Sequence, residues 1–200
     1  MKPRLYIDQK ITPFINRYLI YTPDTQGEKG QQIGFVEQER FKFKEKVHFY
    51  SDDTKQQELF SFRAEKVLDI HGKYLVEDTS GTLLGYFQKD FKTSLIKSTW
   101  ALYSADGTLH FTVTESNLAL AILRRYIGFL PIVGDILEIV TILFKYHFIF
   151  LANEQEVGKY EKTTLFRDHY RLSMTDESYA KLDQRVLTAM SVALDALQSR

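Results

Sequence analysis

The 200-residue chain has no cysteine, a single tryptophan, four prolines and ten glycines, and its 26 Lys and Arg are matched by 26 Asp and Glu. Without cysteine there is no disulfide scaffold, no thiol nucleophile and no thiolate metal site. So few glycines and prolines exclude a collagen-like or low-complexity chain. Zero net charge removes the Lys/Arg excess on which nucleic-acid affinity largely depends, so no nucleic-acid partner is expected. Long apolar runs are lacking as well. The longest uncharged run in the most apolar region is nine residues, Tyr126 to Gly134, against the ~20 that a spanning helix needs. The first residues, Met1-Lys-Pro-Arg-Leu-Tyr-Ile-Asp8, do not form the apolar run of a secretory signal. Together with the missing cysteines this sets the expected location as the cytoplasm, with peripheral membrane attachment as the variant to test.

What is abundant is aromatic: 15 Phe and 12 Tyr, a bias toward β structure. From the polar loop Pro23-Asp-Thr-Gln-Gly-Glu-Lys-Gly30 to about residue 115, short alternating segments are separated by turns. These are Ser51-Asp-Asp-Thr54, His71-Gly-Lys73, Asp78-Thr-Ser-Gly81 and Ala105-Asp-Gly107. Such spacing predicts consecutive antiparallel hairpins rather than βαβ units. A weak repeat runs through them. Ile33-Gly34-Phe35, Leu84-Gly85-Tyr86 and Val157-Gly158-Lys-Tyr160 each place glycine after an aliphatic residue and just before an aromatic one. Glycine inside a strand marks a bulge or bend, as a closed or strongly coiled sheet requires. Trp100, in the alternating segment Thr99–Tyr103, is expected in the core or half-core, and with Gly85 and Gly158 it is expected to serve the barrel and not a catalytic site.

Two segments break the β pattern. Residues 116–145 are apolar and read as a helical insert, with Ser116 or Asn117 as N-cap and a break at Gly128, Pro131 and Gly134. Residues 178–199 read as a terminal helix. From Val186 to Leu197 that helix is apolar on all sides, so it has to be buried on all sides, inside a sheet that wraps it.

These features resemble the tubby C-terminal-like superfamily, which includes the plant LURP-one-related proteins and the phospholipid scramblases. The resemblance rests on Tyr74-Leu-Val-Glu-Asp-Thr-Ser-Gly-Thr-Leu-Leu-Gly-Tyr-Phe-Gln-Lys89, on Ser98-Thr-Trp-Ala-Leu-Tyr103 with Asp106-Gly107, on Val157-Gly-Lys-Tyr-Glu161 with Arg167-Asp-His-Tyr170, and on the terminal helix. It spans roughly residues 5–198. It implies a single mainly β domain over 1–200: a closed antiparallel barrel of about twelve strands around a buried hydrophobic C-terminal helix, with the insert as an addition. It also implies binding rather than catalysis, since tubby-type relatives bind phosphoinositides.

The residues themselves carry no enzyme signature. His48, His71, His110, His147 and His169 are isolated, without metal-ligand spacing. No phosphate-binding glycine loop occurs, and Gly72-Lys73 and Gly158-Lys159 read as hairpin residues. Asp168-His169 lacks a placed serine, and Ser94 and Ser98 are nucleophiles in name only. No cofactor, no metal and no catalytic residue is expected. The candidate anion or lipid site is Arg40, Lys42, Lys44 and Lys46, which alternate with Phe41, Phe43 and Glu45 and on a strand would share one face. The plain alternative is a solvated face whose charges discourage edge pairing. The candidate membrane or partner contact is Phe129, Leu130 and Ile132 flanked by Arg124 and Arg125; the same residues could cap the barrel or join two copies. The function expected is a non-enzymatic binding or scaffolding module, a peripheral phospholipid binder in the first reading. The alternative is a protein-interaction module with a protein partner or a homodimer. Lipid scrambling is disfavoured, because the terminal helix would leave the barrel and carry Asp195 into the bilayer.

Overall fold

The structure is a computed structural model that describes residues 1–11, 15–39, 46–65, 72–90, 98–116, 147–164 and 168–196. The expected helical insert at 116–145 lies, but for Ser116, outside the described residues. Twelve strands are described: β1 (Lys2–Ile11), β2 (Ile15–Pro23), β3 (Lys29–Glu39), β4 (Val47–Tyr50), β5 (Glu58–Ala64) and β6 (Lys73–Asp78) are followed by β7 (Leu83–Lys89), β8 (Thr99–Ser104), β9 (Leu109–Glu115), β10 (His147–Ala152), β11 (Gln155–Lys162) and β12 (Asp168–Met174). Each pairs antiparallel with its neighbours in the chain, and β12 returns to β1, so the sheet closes into an up-and-down barrel.

Closure leaves no edge, and alternation divides every strand between core and exterior. Leu5 and Ile7 on β1, Tyr18 and Ile20 on β2, Phe87 on β7 and Leu172 and Met174 on β12 are all buried. The aromatic excess sits here. Phe87 lies between Phe62 (5.6 Å) and Trp100 (6.0 Å), and Tyr74 stacks on it at 5.3 Å. Trp100 is 2% exposed, and its indole N–H donates to Ser98 Oγ at 3.2 Å.

A barrel of eight strands is filled by its own side chains, whereas one of twelve is wider and needs something more. The C-terminal helix supplies it. Where the sequence suggests one helix over 178–199, the described chain forms a short α1 (Asp176–Ala180), capped by Thr175, and then α2 (Gln184–Ala196). Asp183 breaks the run between them. Its side chain accepts from the Arg185 backbone N–H and its carbonyl from Val186 N–H, so it starts α2 afresh. Val186, Leu187, Met190, Val192 and Leu194 are fully buried around the helix.

The glycine repeat is a bulge repeat. Ile20 pairs with Gly34 but Tyr21 with Gln32; Val76 pairs with Gly85 but Glu77 with Leu83; Phe150 pairs with Gly158 but Leu151 with Glu156. In each case the aliphatic residue before the glycine, Ile33, Leu84 or Val157, is the extra one. The same device recurs without glycine at Leu59 and His110. These five bulges belong to hairpins that turn at one rim, the rim where α2 enters, and a further register shift falls at Arg4 where β1 pairs with β12. The five add local twist and bend the strands there, which helps the sheet to curl shut.

Candidate functional site

In an up-and-down barrel, connections alternate between the two rims. Those after even-numbered strands (24–28, 51–57, 79–82, 105–108, 153–154) turn at the entry rim, and 175–183 crosses it to reach α2. Those after odd-numbered strands turn at the far rim, where α2 ends. Of the candidate site residues, Lys46 is exposed directly ahead of β4. Arg40, Lys42 and Lys44, and likewise Arg124, Arg125, Phe129, Leu130 and Ile132, lie outside the described residues. The strand ends nevertheless fix the rim that each segment joins. The chain leaves β3 and regains β4 through 40–46, and leaves β9 and regains β10 through 116–146, both times at the far rim.

The segments connected at the two rims differ in sequence charge. Segments 12–14, 40–46, 65–72, 90–98, 116–146, 163–167 and 197–200, all joined at the far rim, hold twelve Lys/Arg against six Asp/Glu. Those that follow the even-numbered strands hold nine Asp/Glu against two Lys/Arg. The 51–57 turn among them, with Asp52 and Asp53, lies against the outer wall, where Lys55 pairs with Glu37. The segments joined at the two rims thus differ in sequence charge; of the twelve far-rim cations, Lys46 is among the described residues. Much of the described wall is neutralised locally: Arg17 pairs with Glu37 (2.8 Å), Lys29 with Asp8 (2.7 Å), Arg63 with Glu77 (2.7 Å) and Arg171 with Glu161. Several entry-rim acids are tied into their own turns. The Asp78 carboxylate accepts from Ser80 N–H and Thr82 N–H at 2.9 Å each, while Gly81 takes the left-handed φ of +85° that the turn needs. Asp106 is held down to about 2, chiefly by the Ser104 hydroxyl and the Thr108 backbone N–H.

Toward the far rim the barrel interior itself turns polar. Tyr18 and Tyr170 each donate a phenolic hydrogen bond to Asp195 of α2, at 3.0 and 2.6 Å, and Gln9 Nε2 donates to the Tyr18 oxygen. Tyr160 stacks on Tyr170 at 5.3 Å, and Asn16 faces Gln38 across β2–β3, both buried. Burial is the main influence on Asp195 and raises its pKa; the two phenols oppose it, Asp168 adds to the rise, and Lys162 opposes it. Burial likewise raises Tyr18, Tyr160 and Tyr170. Because folded Asp195 holds its proton more tightly than the unfolded chain does, its contribution to stability declines as pH rises above the unfolded carboxyl value of about 4. Urea unfolding at pH 4.5 and 7.5 should therefore show a smaller pH-dependent loss in Asp195→Asn than in the wild type. Asp195→Ala strands two buried hydroxyls and should cost about 1–3 kcal/mol for each at either pH. An Asp195→Asn variant with the wild-type pH profile would refute this account.

The sequence treats Asp195 as an obstacle to leaving the barrel and misses that it is a hub. The signal that could have found it is period two. Asn16 and Tyr18, and Tyr170 beside Leu172, place polar groups on strand faces that are otherwise apolar. The remaining candidates are not brought together. Asp168 pairs with Lys162 at 2.6 Å, His169 Nδ1 lies 2.5 Å from Asp8, and Ser98 serves Trp100. Among the described residues no three His, Asp or Glu side chains cluster as a metal site. Among them, too, no helix is long and apolar enough to cross a membrane.

A closed antiparallel barrel threaded by its own C-terminal helix defines the class, that of the tubby-like barrels. Within it the chain belongs to the LURP-one-related family, whose sequence model matches residues 33–195. Searches of curated proteins and of solved structures each found no match.

Proposed function

We propose that this protein is a non-enzymatic binding module that docks the far rim of its barrel on anionic phospholipid surfaces from the cytoplasmic side. The observation that supports this reading is the difference in sequence charge between the segments joined at the two rims. Arg40, Lys42, Lys44 and Lys46 belong to a segment joined at the far rim, and so does the apolar segment with Phe129, Leu130 and Ile132 between Arg124, Arg125 and Asp135. Basic segments joined at one rim orient the barrel as it approaches a negative surface. Each Lys or Arg near such a surface contributes about 1 kcal/mol, so four of them suffice for reversible attachment. Phosphoinositide-like headgroups, with several phosphates, are the ligands this charge density suits best. Burial of Phe129, Leu130 and Ile132 in the interfacial zone would add an apolar component.

Co-sedimentation with phosphatidylcholine vesicles, with and without phosphatidylserine, tests the proposal. Wild-type protein should pellet with the anionic vesicles. Replacing Arg40, Lys42, Lys44 and Lys46 by Gln should release it most strongly at low salt, because exposed charges are screened within about 8 Å at physiological ionic strength. Replacing Phe129 and Ile132 by Ser should weaken pelleting at every salt concentration, since apolar burial is not screened. Failure of the wild type to pellet with anionic vesicles at low salt overturns the lipid reading. A dimer that becomes monomeric in the Phe129/Ile132 variant would then identify a contact between copies.

A further inference from the structure

The barrel holds a cleft that the charge argument does not touch. Between α2 and the wall formed by β1 to β5, near the entry rim, lies a partly open cavity of about 400 Å³. Its floor is Leu5, Ile20, Phe49 and Phe60, with the two phenyl rings stacked at 4.1 Å. Three features of the fold create it, and each is visible in the backbone.

First, α2 is off-centre. At Gly85 of β7 a Cβ would lie 3.0 Å from Val186 Cγ2, so the missing side chain lets the helix press against that wall. The helix also touches β5 and β6. Gly34 of β3 holds the matching position in the bulge repeat, but its nearest neighbours are Ile20 and the Tyr50 carbonyl, and it faces the cavity. Second, among the described residues β3 and β4 pair at only two positions, Phe35–Tyr50 and Val36–Phe49. The wall is therefore unlaced from Gly34 toward the entry rim. Third, the bulges on either side of β4 leave Ile33 and Leu59 as the extra residues, and both line the cavity. Bulges re-aim side chains, and they are common beside binding sites. Ile33 is 40% exposed, among the few large apolar side chains so placed.

We infer that this cleft is a binding site for a free single-chain amphiphile with an uncharged hydroxyl head. Its volume is within the usual range for small-molecule sites, and its wall is mostly apolar, as in such sites. The head chemistry follows from the mouth. The two positive features there are the Arg185 guanidinium and the start of α2, and Asp183 occupies both. Its carboxylate takes Arg185 Nε at 3.0 Å and a terminal guanidinium nitrogen at 2.7 Å, and it accepts the Arg185 backbone N–H at 2.8 Å. A carboxylate head would meet a cation that is already satisfied. Exposed Gln184 leaves its side-chain amide, and the adjoining Thr188 hydroxyl, whose proton goes to the Gln184 carbonyl at 2.8 Å, leaves an acceptor oxygen; together they suit a neutral hydroxyl head.

The full chain should bind 1-octanol in isothermal titration, with octanoate and octylammonium as chain-matched charged probes. The expected order is octanol tightest, with octanoate at least tenfold weaker. Methyl resonances of Ile20, Ile33 and Leu59 should shift on titration, while those of Ile149 on β10 stay put. Ile33→Trp places a large ring at the mouth from an exposed position and should weaken octanol binding at least tenfold. Leu59→Trp should do the same from the other bulge, so that one variant remains if the other does not melt cooperatively. No binding of octanol up to its solubility overturns the inference. So does octanoate or octylammonium binding as tightly as octanol, or undiminished affinity in a folded variant. Vesicle pelleting should be unchanged in Ile33→Trp, because the cleft and the far rim are at opposite ends; the two proposals thus stand or fall separately.

Discussion

Truncation after Asp183, which removes α2, should abolish cooperative unfolding rather than lower its midpoint. Val186, Leu187, Met190, Val192 and Leu194 are all fully buried in the barrel. At about 1.5–3 kcal/mol for each large side chain, they contribute roughly 8–15 kcal/mol. That equals the whole net stability of an ordinary domain, about 5–15 kcal/mol. A twelve-strand barrel without its helix would enclose a lumen lined by Phe, Tyr and Trp, so the strands would collapse or associate. Thermal unfolding followed by circular dichroism and by Trp100 fluorescence is the measurement. A truncated chain with a sharp transition near that of the wild type would show that α2 is an accessory and not the core.

Gly85→Val should be strongly destabilising. A Cβ at this position would lie 2.5 Å from the Tyr103 carbonyl oxygen and 3.0 Å from Val186. The first obstacle is backbone in the neighbouring β8, which cannot move without breaking the pairing of Gly85 with Ser104. The second is the helix itself. Overpacking of this kind costs typically 1–3 kcal/mol and occasionally more, and here about 3 kcal/mol is expected, read as a lower urea midpoint at an unchanged slope. Gly34→Ala is the natural control, since the closest atom to its Cβ would be the end of the Ile20 side chain, Cδ1 at 3.3 Å, with the Tyr50 carbonyl at an ordinary 3.7 Å. It should cost far less. Equal losses at the two glycines would mean that the helix is not pressed against β7.

Much of the barrel is written in local sequence. Alternation in segments such as Thr99–Tyr103, turn residues at Asp78–Gly81 and Ala105–Gly107, and three bulge glycines suffice to place hairpins, because each depends on residues a few positions apart. The bulges at Leu59 and His110 have no glycine and leave no comparable trace. The site is less legible. The polar cluster joins residues 18, 170 and 195, and the cleft joins β1 to β5 with α2, so neither exists until the barrel closes.

By itself the sequence determined that the chain is mainly β and built of consecutive antiparallel hairpins, that its last helix is a core element, and that basic and apolar segments fall at 40–46 and 116–145. Those conclusions follow from period, composition and amphipathicity, which are properties of short stretches. Closure into a barrel is what the family resemblance implied. Only the tertiary structure decided that both segments join one rim, because rim assignment requires the order and direction of all twelve strands. It alone decided that Asp195 is satisfied by Tyr18 and Tyr170 rather than stranded. It alone decided, too, where α2 sits. A helix apolar all round has no preferred face, so its lean toward β7 and the cleft left at Gly34 are set by where the wall lacks a side chain and where its pairing stops.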